Sequence, residues 1–143
     1  MIDLSTKQYV VVVQCHLVKQ RCSGYFCEKA FHERSGGFAL YPPRPLRTLY
    51  TTCGGCCGRA VQRKLGHLVR QLRKQEQLSK EQIVVQLSSC MTNDNLHGPP
   101  CPHLEYIRTL IARLGLDLSQ GTHISAKSEE RRREGVYLPR QDG

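Results

Sequence analysis

Residues 9–14 read YVVVVQ, and Cys15 follows directly. Four consecutive valines are β-branched and apolar, which favours a strand buried on both faces of a parallel sheet. Residues 46–52 and 83–89 are also rich in β-branched or aromatic residues and predict two more strands. A weaker fourth strand is predicted at residues 116–120. The valine run thus sets the pattern of a sheet of about four strands.

Helical patterns separate the predicted strands. One helix is predicted at residues 23–34, and another follows Pro102 and ends near Gly115. The clearest amphipathic stripe predicts a helix at about residues 57–75, with apolar positions at Val61, Leu65, Leu68, Val69 and Leu72. Alternating strands and helices predict an α/β fold: a small three-layer domain with a mostly parallel sheet, Rossmann-like or flavodoxin-like.

The chain of 143 residues is long enough to bury a core without covalent cross-links. We predict one domain over residues 1–126 and a charged C-terminal tail over residues 127–143. The tail contains mixed charges and too few apolar residues for a core of its own, so we expect it to be peripheral or disordered. Its apolar segment, residues 136–138, is a candidate for docking on the domain.

Eight cysteines are unusual in a chain whose first residues lack the order of a signal peptide and which has no apolar run long enough to span a bilayer. We therefore expect a cytoplasmic protein without a membrane partner. In a reducing compartment persistent disulfides are rare, and clustered thiols more often indicate metal or redox chemistry.

The formal net charge of +9 raises nucleic acid as a partner. Only nine aromatic residues are present, however, and no nucleic-acid recognition motif accompanies the basic run Arg131–Arg133. Four thiolates around one zinc ion would also carry a net charge of about −2. Part of the positive charge of the chain would therefore balance such a site and would not indicate a nucleic-acid partner. We expect no nucleic-acid partner. The small-molecule or protein partners are not identified by the sequence.

The ends of the predicted strands carry the candidate ligands. Cys15, Cys53, Cys90 and His123 each follow one strand. Parallel strands end at the same edge of a sheet, about 4.8 Å apart, so these side chains are predicted to converge there. The alternative for any single free cysteine is a small buried apolar residue. The regular placement of the whole set favours a site.

The densest element is residues 53–58, CGGCCG, between a predicted strand and the strongest helix. Glycines permit a tight turn, and a helix N-terminus stabilises thiolates. The C-x-x-C pair supplies either two metal ligands or the two thiols of an exchange centre in which Cys53 attacks and Cys56 resolves. Arg59 adds to the positive field, whereas Arg63 and Lys64 are expected to form a solvated face.

These elements together resemble the CGGC-domain family of small cysteine-rich proteins, which are regarded as metal-binding. The resemblance rests on Cys22-Ser23-Gly24, Gly37-Phe38, Cys53-Gly54-Gly55-Cys56, Cys101-Pro102 and Gly121-Thr122-His123, in that order. It implies a metal-binding role but no reaction. The implied ligands are Cys15, Cys22, Cys53, Cys56, Cys90, Cys101 and His123. Cys57 and Ser23 stand where proline is expected.

The leading hypothesis is a metal-binding domain that senses, stores or transfers metal, or uses it in redox chemistry or on a small substrate. The alternative is the thiol-disulfide oxidoreductase. Six or seven candidate ligands exceed the four of a structural zinc, and zinc and an iron-sulfur cluster both suit thiolates. His103 is an additional candidate ligand. His16 is expected to point away from Cys15. Cys27 is expected to be a packing residue of its helix and not a ligand. His32, His67 and His97 are expected at the surface.

Overall fold

The computed structural model describes residues 2–140. Its four strands form one parallel sheet in the order β2-β1-β3-β4. The strands are β1 (Tyr9–Gln14), β2 (Arg47–Thr52), β3 (Ile83–Leu87) and β4 (Asp117–Gln120). Tyr9 pairs with Arg47 on one side and with Ile83 on the other. All four carboxyl ends therefore lie along one edge.

Helices connect the strands and cover both faces of the sheet. They are α1 (His16–Lys19), α2 (Tyr25–Glu33), α3 (Ala60–Glu76), α4 (Ser89–Thr92), α5 (Leu104–Arg113) and α6 (Ala126–Arg133). Gly115, with φ +77°, follows the C-terminal end of α5, a backbone conformation that glycine adopts without strain. The expected α/β class, parallel sheet and flavodoxin-like arrangement are confirmed.

The valines of β1 divide the core between the two faces. Val11 and Val13 pack in the larger cluster with apolar residues of α3 and α5. Val10 and Val12 pack in the second cluster with Phe31 of α2. Every residue of β1 is buried. Because alternate side chains of a strand point to opposite faces, the valines of β1 pack in both hydrophobic layers, as the unbroken valine run predicts.

Two predicted boundaries differ from the structure where the candidate site lies. The helix expected from about residue 57 begins at Ala60, because the glycine-rich segment before it forms a loop. The third strand ends at Leu87, and Cys90 lies within the short helix α4. The cysteines at this edge therefore lie on loops and helical turns that follow the strands.

The C-terminal tail, residues 127–143, was expected to be peripheral or disordered. Its described part, residues 127–140, contains most of α6, on which Ser128 is 1% exposed and the Arg132 side chain 7% exposed. Val136 and Leu138 have exposed side chains, while the Leu138 amide donates to the Asp94 carboxylate at 3.0 Å. Residues 141–143 lie outside the described part of the chain. Within residues 2–140, no helix has the length and apolar character needed to cross a membrane.

Candidate functional site

The carboxyl edge of the sheet holds two separate recesses. Gln14, the last residue of β1, lines one of them, and its neighbour Cys15 lines the other. Successive side chains of an extended strand point to opposite faces of the sheet. The end of β1 thereby separates two groups of cysteines that the sequence places at the same edge.

The first recess, which we call the thiol groove, collects side chains from four segments of the chain. Its polar and sulfur-bearing lining consists of Cys15, His16, Cys53, Cys56, Cys57, Met91, Cys101 and His103. The space between them is about 20 Å³. A volume of that size is comparable to that of a single water molecule, so the groove has room for one atom-sized ligand.

The loop that carries three of these cysteines is shaped by its glycines. Gly58 has φ +89°, and a Cβ there would lie 2.5 Å from Cδ1 of Ile107 in α5. Only glycine therefore allows this loop to approach α5 so closely. Cys53 is 5% exposed beneath the loop, whereas Cys56 and Cys57 are exposed on it.

The thiols of the groove influence one another. Burial raises the pKa of Cys101, although the His103 amide donates to Cys101 Sγ at 3.4 Å and acts in the opposite direction. Negative charge on Cys53, Cys15 and Cys56 raises it further. Ionisation of the neighbouring thiols therefore opposes ionisation of Cys101, and a cation among them would relieve that repulsion.

Two basic side chains near the groove differ from expectation. His16 was expected to point away from Cys15, but it lines the same groove and its Nδ1 lies 3.3 Å from Thr52 Oγ1. The strand ends before His16, so the alternation on which that expectation rested no longer applies. Lys64, expected on a solvated face, donates to the Thr52 carbonyl and hydroxyl at 3.0 Å each and holds the end of β2.

The second recess, which we call the basic cavity, has a volume of about 240 Å³. Side chains that follow β1, β3 and β4 line it, together with residues of α2 and α6. Among its lining residues are Cys22, Cys27, Cys90 and His123. The ring of Phe26 stacks on His123 with centroids 4.6 Å apart. Burial of His123, with a smaller contribution from Lys29, lowers its pKa and favours the neutral imidazole.

Cys90 lies at the boundary between the two recesses. It lines the basic cavity, but its sulfur accepts a hydrogen bond from the Cys15 amide and lies 2.9 Å from Ser88 Oγ. Burial nevertheless raises the pKa of Cys90, with smaller contributions in the same direction from Cys27 and Cys15. The neutral thiol is therefore favoured at this position.

Buried polar contacts position the segment that carries His123. Gln86 is fully buried and donates to the carbonyls of Gly37 and Gly121 at 3.2 and 2.5 Å. Thr122 Oγ1 accepts the Ser89 amide at 3.1 Å and lies 3.1 Å from Cys27 Sγ. Cys27, expected to pack inside its helix, is thus part of a polar contact at the cavity wall.

The seven predicted ligands are distributed over both recesses. Four of them line the thiol groove: Cys15, Cys53, Cys56 and Cys101. Three line the basic cavity: Cys22, Cys90 and His123. All eight cysteines, which lie within residues 2–140, are free thiols. As the side chains stand in that part of the chain, no group of three or more Cys, His, Asp or Glu is arranged to hold one metal ion. Ligation by the seven residues therefore remains a prediction.

Several lining residues were missed by sequence reasoning. His97 is exposed, as expected, and it also lines the basic cavity together with Lys19, Ser128 and Arg132. These residues belong to segments far apart in the chain and share no motif. The sequence shows that the tail is rich in basic residues, but it contains no local pattern that would indicate that α6 places an arginine at the edge of the sheet.

Most of this chain is similar to known proteins. Residues 9–123 match the family model described as CGGC domain. A relative, the uncharacterized protein MJ0582 of Methanocaldococcus jannaschii, is 28% identical over 129 residues, which cover 85% of this chain and 91% of that protein. No solved structure matches the chain. The matched region includes every cysteine of both recesses.

Proposed function

This chain belongs to the CGGC domain family, and we propose from the arrangement of its thiol groove that it is a metal-binding domain. The ligands proposed for one ion are Cys15, Cys53, Cys56 and Cys101, with zinc as the metal. His103 and Cys57 are neighbouring donors in the same groove.

The observation that carries the proposal is the convergence of thiols from separate segments. Cys15 follows β1, Cys53 and Cys56 follow β2, and Cys101 precedes α5. All four line a space of about 20 Å³. Packing explains one such cysteine, but four around one small space form the donor set that zinc uses in structural sites.

The chemistry of the donors fits a soft divalent ion. Thiolates bind zinc and iron-sulfur clusters alike, and neither ligand type nor charge separates them. The size of the space favours a single ion over a cluster of several irons. A bound ion would stabilise the thiolate forms and cross-link the loops that follow β1 and β2.

Binding requires movement of side chains on the loop, not of the core. Cys56 and Cys57 are exposed, and each thiol can change rotamer without displacing packed neighbours. Cys53 is buried at the base of the groove and would hold the ion nearest to the sheet. The absence of a ready-made group among residues 2–140 is therefore consistent with a site that closes on its ion.

Accessibility argues against the exchange mechanism in which Cys53 attacks and Cys56 resolves. An exchange centre needs an exposed attacking thiol, ideally at a helix N-terminus. Cys53 is 5% exposed, and α3 begins seven residues later at Ala60. Cys56 is the exposed member of the pair. The order of attack suggested by the sequence is thus the reverse of what accessibility favours.

The test is metal binding by the full chain purified anaerobically with a reductant. Elemental analysis and an absorption spectrum identify the bound metal, and titration with Co²⁺ reports thiolate coordination through its charge-transfer absorption. We expect about one zinc ion per chain. Replacing Cys15→Ser or Cys101→Ser should lower the affinity at least about 100-fold, since the loss of supporting groups alone costs 10 to 100-fold.

The matched controls are Cys22→Ser and Cys27→Ser, which change partly buried cysteines of the basic cavity. They should retain the metal and the cobalt spectrum. Protein that is purified without metal and fails to bind added zinc would refute the proposal. An equal loss of metal affinity in the control variants would refute the assignment of the metal to the thiol groove. A coloured cluster that is lost in Cys15→Ser would show that the groove binds an iron-sulfur cluster and not zinc.

A further inference from the structure

The basic cavity offers a binding site that the proposed metal centre does not use. It is about 240 Å³ in volume, and neither Cys53 nor Cys101 lines it. It lies over the carboxyl ends of β1, β3 and β4. In open parallel sheets the crevice at these ends is where small ligands bind, above all where the strand order reverses. That reversal occurs here between β1 and β3.

The charged side chains that line the cavity are all cationic. They are Lys19, Arg132 and Arg140, and no Asp or Glu within residues 2–140 lines it. Glu129 pairs with Arg132 at 3.1 Å and with Arg140 at 2.8 Å. Both arginines thus have a carboxylate partner, whereas Lys19 contributes a further positive charge to the lining. The Lys19 ammonium donates to the Ser23 carbonyl at 2.8 Å.

The remaining lining is largely apolar. Phe26 is 55% exposed and stacks on His123, which is favoured in its neutral form. Leu96 is 52% exposed on the opposite loop, and Val18 is buried beneath. Exposed aromatic and aliphatic surface beside cations suits a ligand with an apolar body and an acidic group.

A buried polar atom points to the same conclusion. Ser128 is 1% exposed and lines the cavity, yet its hydroxyl has no hydrogen-bond partner among the described residues. An unsatisfied buried hydroxyl costs free energy and needs an explanation. Arg132, whose side chain is 7% exposed, is held at the same wall by Glu129 and the Asp94 carbonyl. The wall from α6 is thus prepared for a polar group supplied by a ligand.

We propose that the basic cavity binds a small organic anion that has an apolar or aromatic body. Its acidic group faces Lys19 and Arg132, Ser128 supplies a hydrogen bond, and its body packs against Phe26 and Leu96. The volume is below the roughly 300 to 1,000 Å³ of most drug-sized sites, which restricts the ligand to a small molecule. This site is independent of the metal proposed for the thiol groove.

The experiment compares three probes of nearly equal size and different charge: phenylacetate, phenylacetamide and phenethylamine. Each is titrated into the isotope-labelled full chain, and amide chemical shifts report where it binds. Phenylacetate should perturb Ser89, Thr122 and Ser128 saturably and bind about tenfold more tightly than phenylacetamide, since a hydrogen bond to a charged group contributes more than a neutral one.

Two exposed neighbours provide a matched pair of variants. Phe26 lines the cavity and Tyr25 does not, although Tyr25 is 57% exposed and its ring contacts Phe26. Phe26→Glu places a negative charge and removes the aromatic wall, so it should weaken phenylacetate binding more than about tenfold. Tyr25→Glu adds the same charge one residue away and should change binding less than about threefold.

The proposal is overturned if the three probes bind equally, if shifts spread outside the cavity without saturation up to millimolar concentrations, or if the two variants weaken binding to the same extent. Both variants change exposed side chains, and their spectra also report whether the fold is intact. Because none of these measurements depends on bound metal, their outcome is separate from that of the zinc test.

Discussion

The thiol groove and the basic cavity lie at the same edge of one sheet and both contain cysteines, yet their surroundings differ. In the groove, thiols of three segments face one another around about 20 Å³, and negative charge on one raises the pKa of another. In the cavity, cysteines are distributed around about 240 Å³ beside cations and exposed apolar side chains. Cysteine alone therefore does not define a site; its partners do.

The largest difference between the two regions is expected from glycine substitutions. Gly58→Ala in the groove combines a positive φ of +89° with a Cβ 2.5 Å from buried Ile107. The strained backbone costs roughly 1 to 2 kcal/mol and overpacking roughly 1 to 3 kcal/mol. We expect a loss of about 2 to 5 kcal/mol in the free energy of unfolding, measured by urea denaturation.

The matched control is Gly135→Ala, near α6, where φ is +82° but no atom lies within 4 Å of the added Cβ. It should cost only the backbone term, about 1 to 2 kcal/mol. Equal losses in the two variants would show that the groove loop does not depend on its close approach to α5.

A smaller effect is expected from the polar contact behind the cavity. Thr122→Val keeps the shape of the side chain but leaves the Ser89 amide without the acceptor that now lies at 3.1 Å. Loss of that partner should cost about 1 to 3 kcal/mol in the free energy of unfolding, without lowering the metal affinity of the groove. Thermal and urea denaturation measure the loss.

Thr109→Val is the control for this substitution, because Thr109 is exposed on α5 and donates to the Glu105 carbonyl of its own helix. Its effect should remain within about 0.5 kcal/mol. If Thr122→Val is equally mild, the Ser89 amide finds another acceptor and the contact does not position the His123 segment.

The smallest perturbation is alkylation of single thiols in the metal-free protein. Exposed Cys56 and Cys57 should react with iodoacetamide before Cys90, whose raised pKa keeps its thiol neutral to higher pH. The reaction rate of Cys90 should therefore continue to rise with pH over a range in which a thiol of ordinary pKa is already fully ionised. Mass spectrometry of digested samples measures the order, and early labelling of Cys90 would contradict its buried position.

Much of the fold was predictable because its signals are local. The valine run of β1, the apolar stripe of α3 and the terminal Gly115 of α5 all appear where the pattern indicates. The start of α3 was predicted three residues early, because glycines that favour a turn and residues that permit a helix are adjacent there. The helix α6 was not predicted, since its few packed residues follow no amphipathic pattern.

The sequence predicted which residues form the candidate site, but not that they are divided between two recesses. Sequence order indicated that Cys15, Cys53, Cys90 and His123 lie near the ends of strands, and that is where they lie. It did not indicate that the first two line the groove and the last two the cavity. The turns after each strand decide the direction of each side chain, and those turns depend on long-range contacts such as that of Gln86 with the Gly121 carbonyl.

By itself the sequence determined the parallel sheet, its buried strands and the gathering of cysteines at the carboxyl edge, because hydrophobic periodicity and connection order act along the chain. Only the tertiary structure decided which cysteines share a space, how deeply Cys53 lies, and that Arg132 and Ser128 reach the same edge from α6. These features depend on the direction of each side chain and on packing between distant segments, which no local pattern encodes.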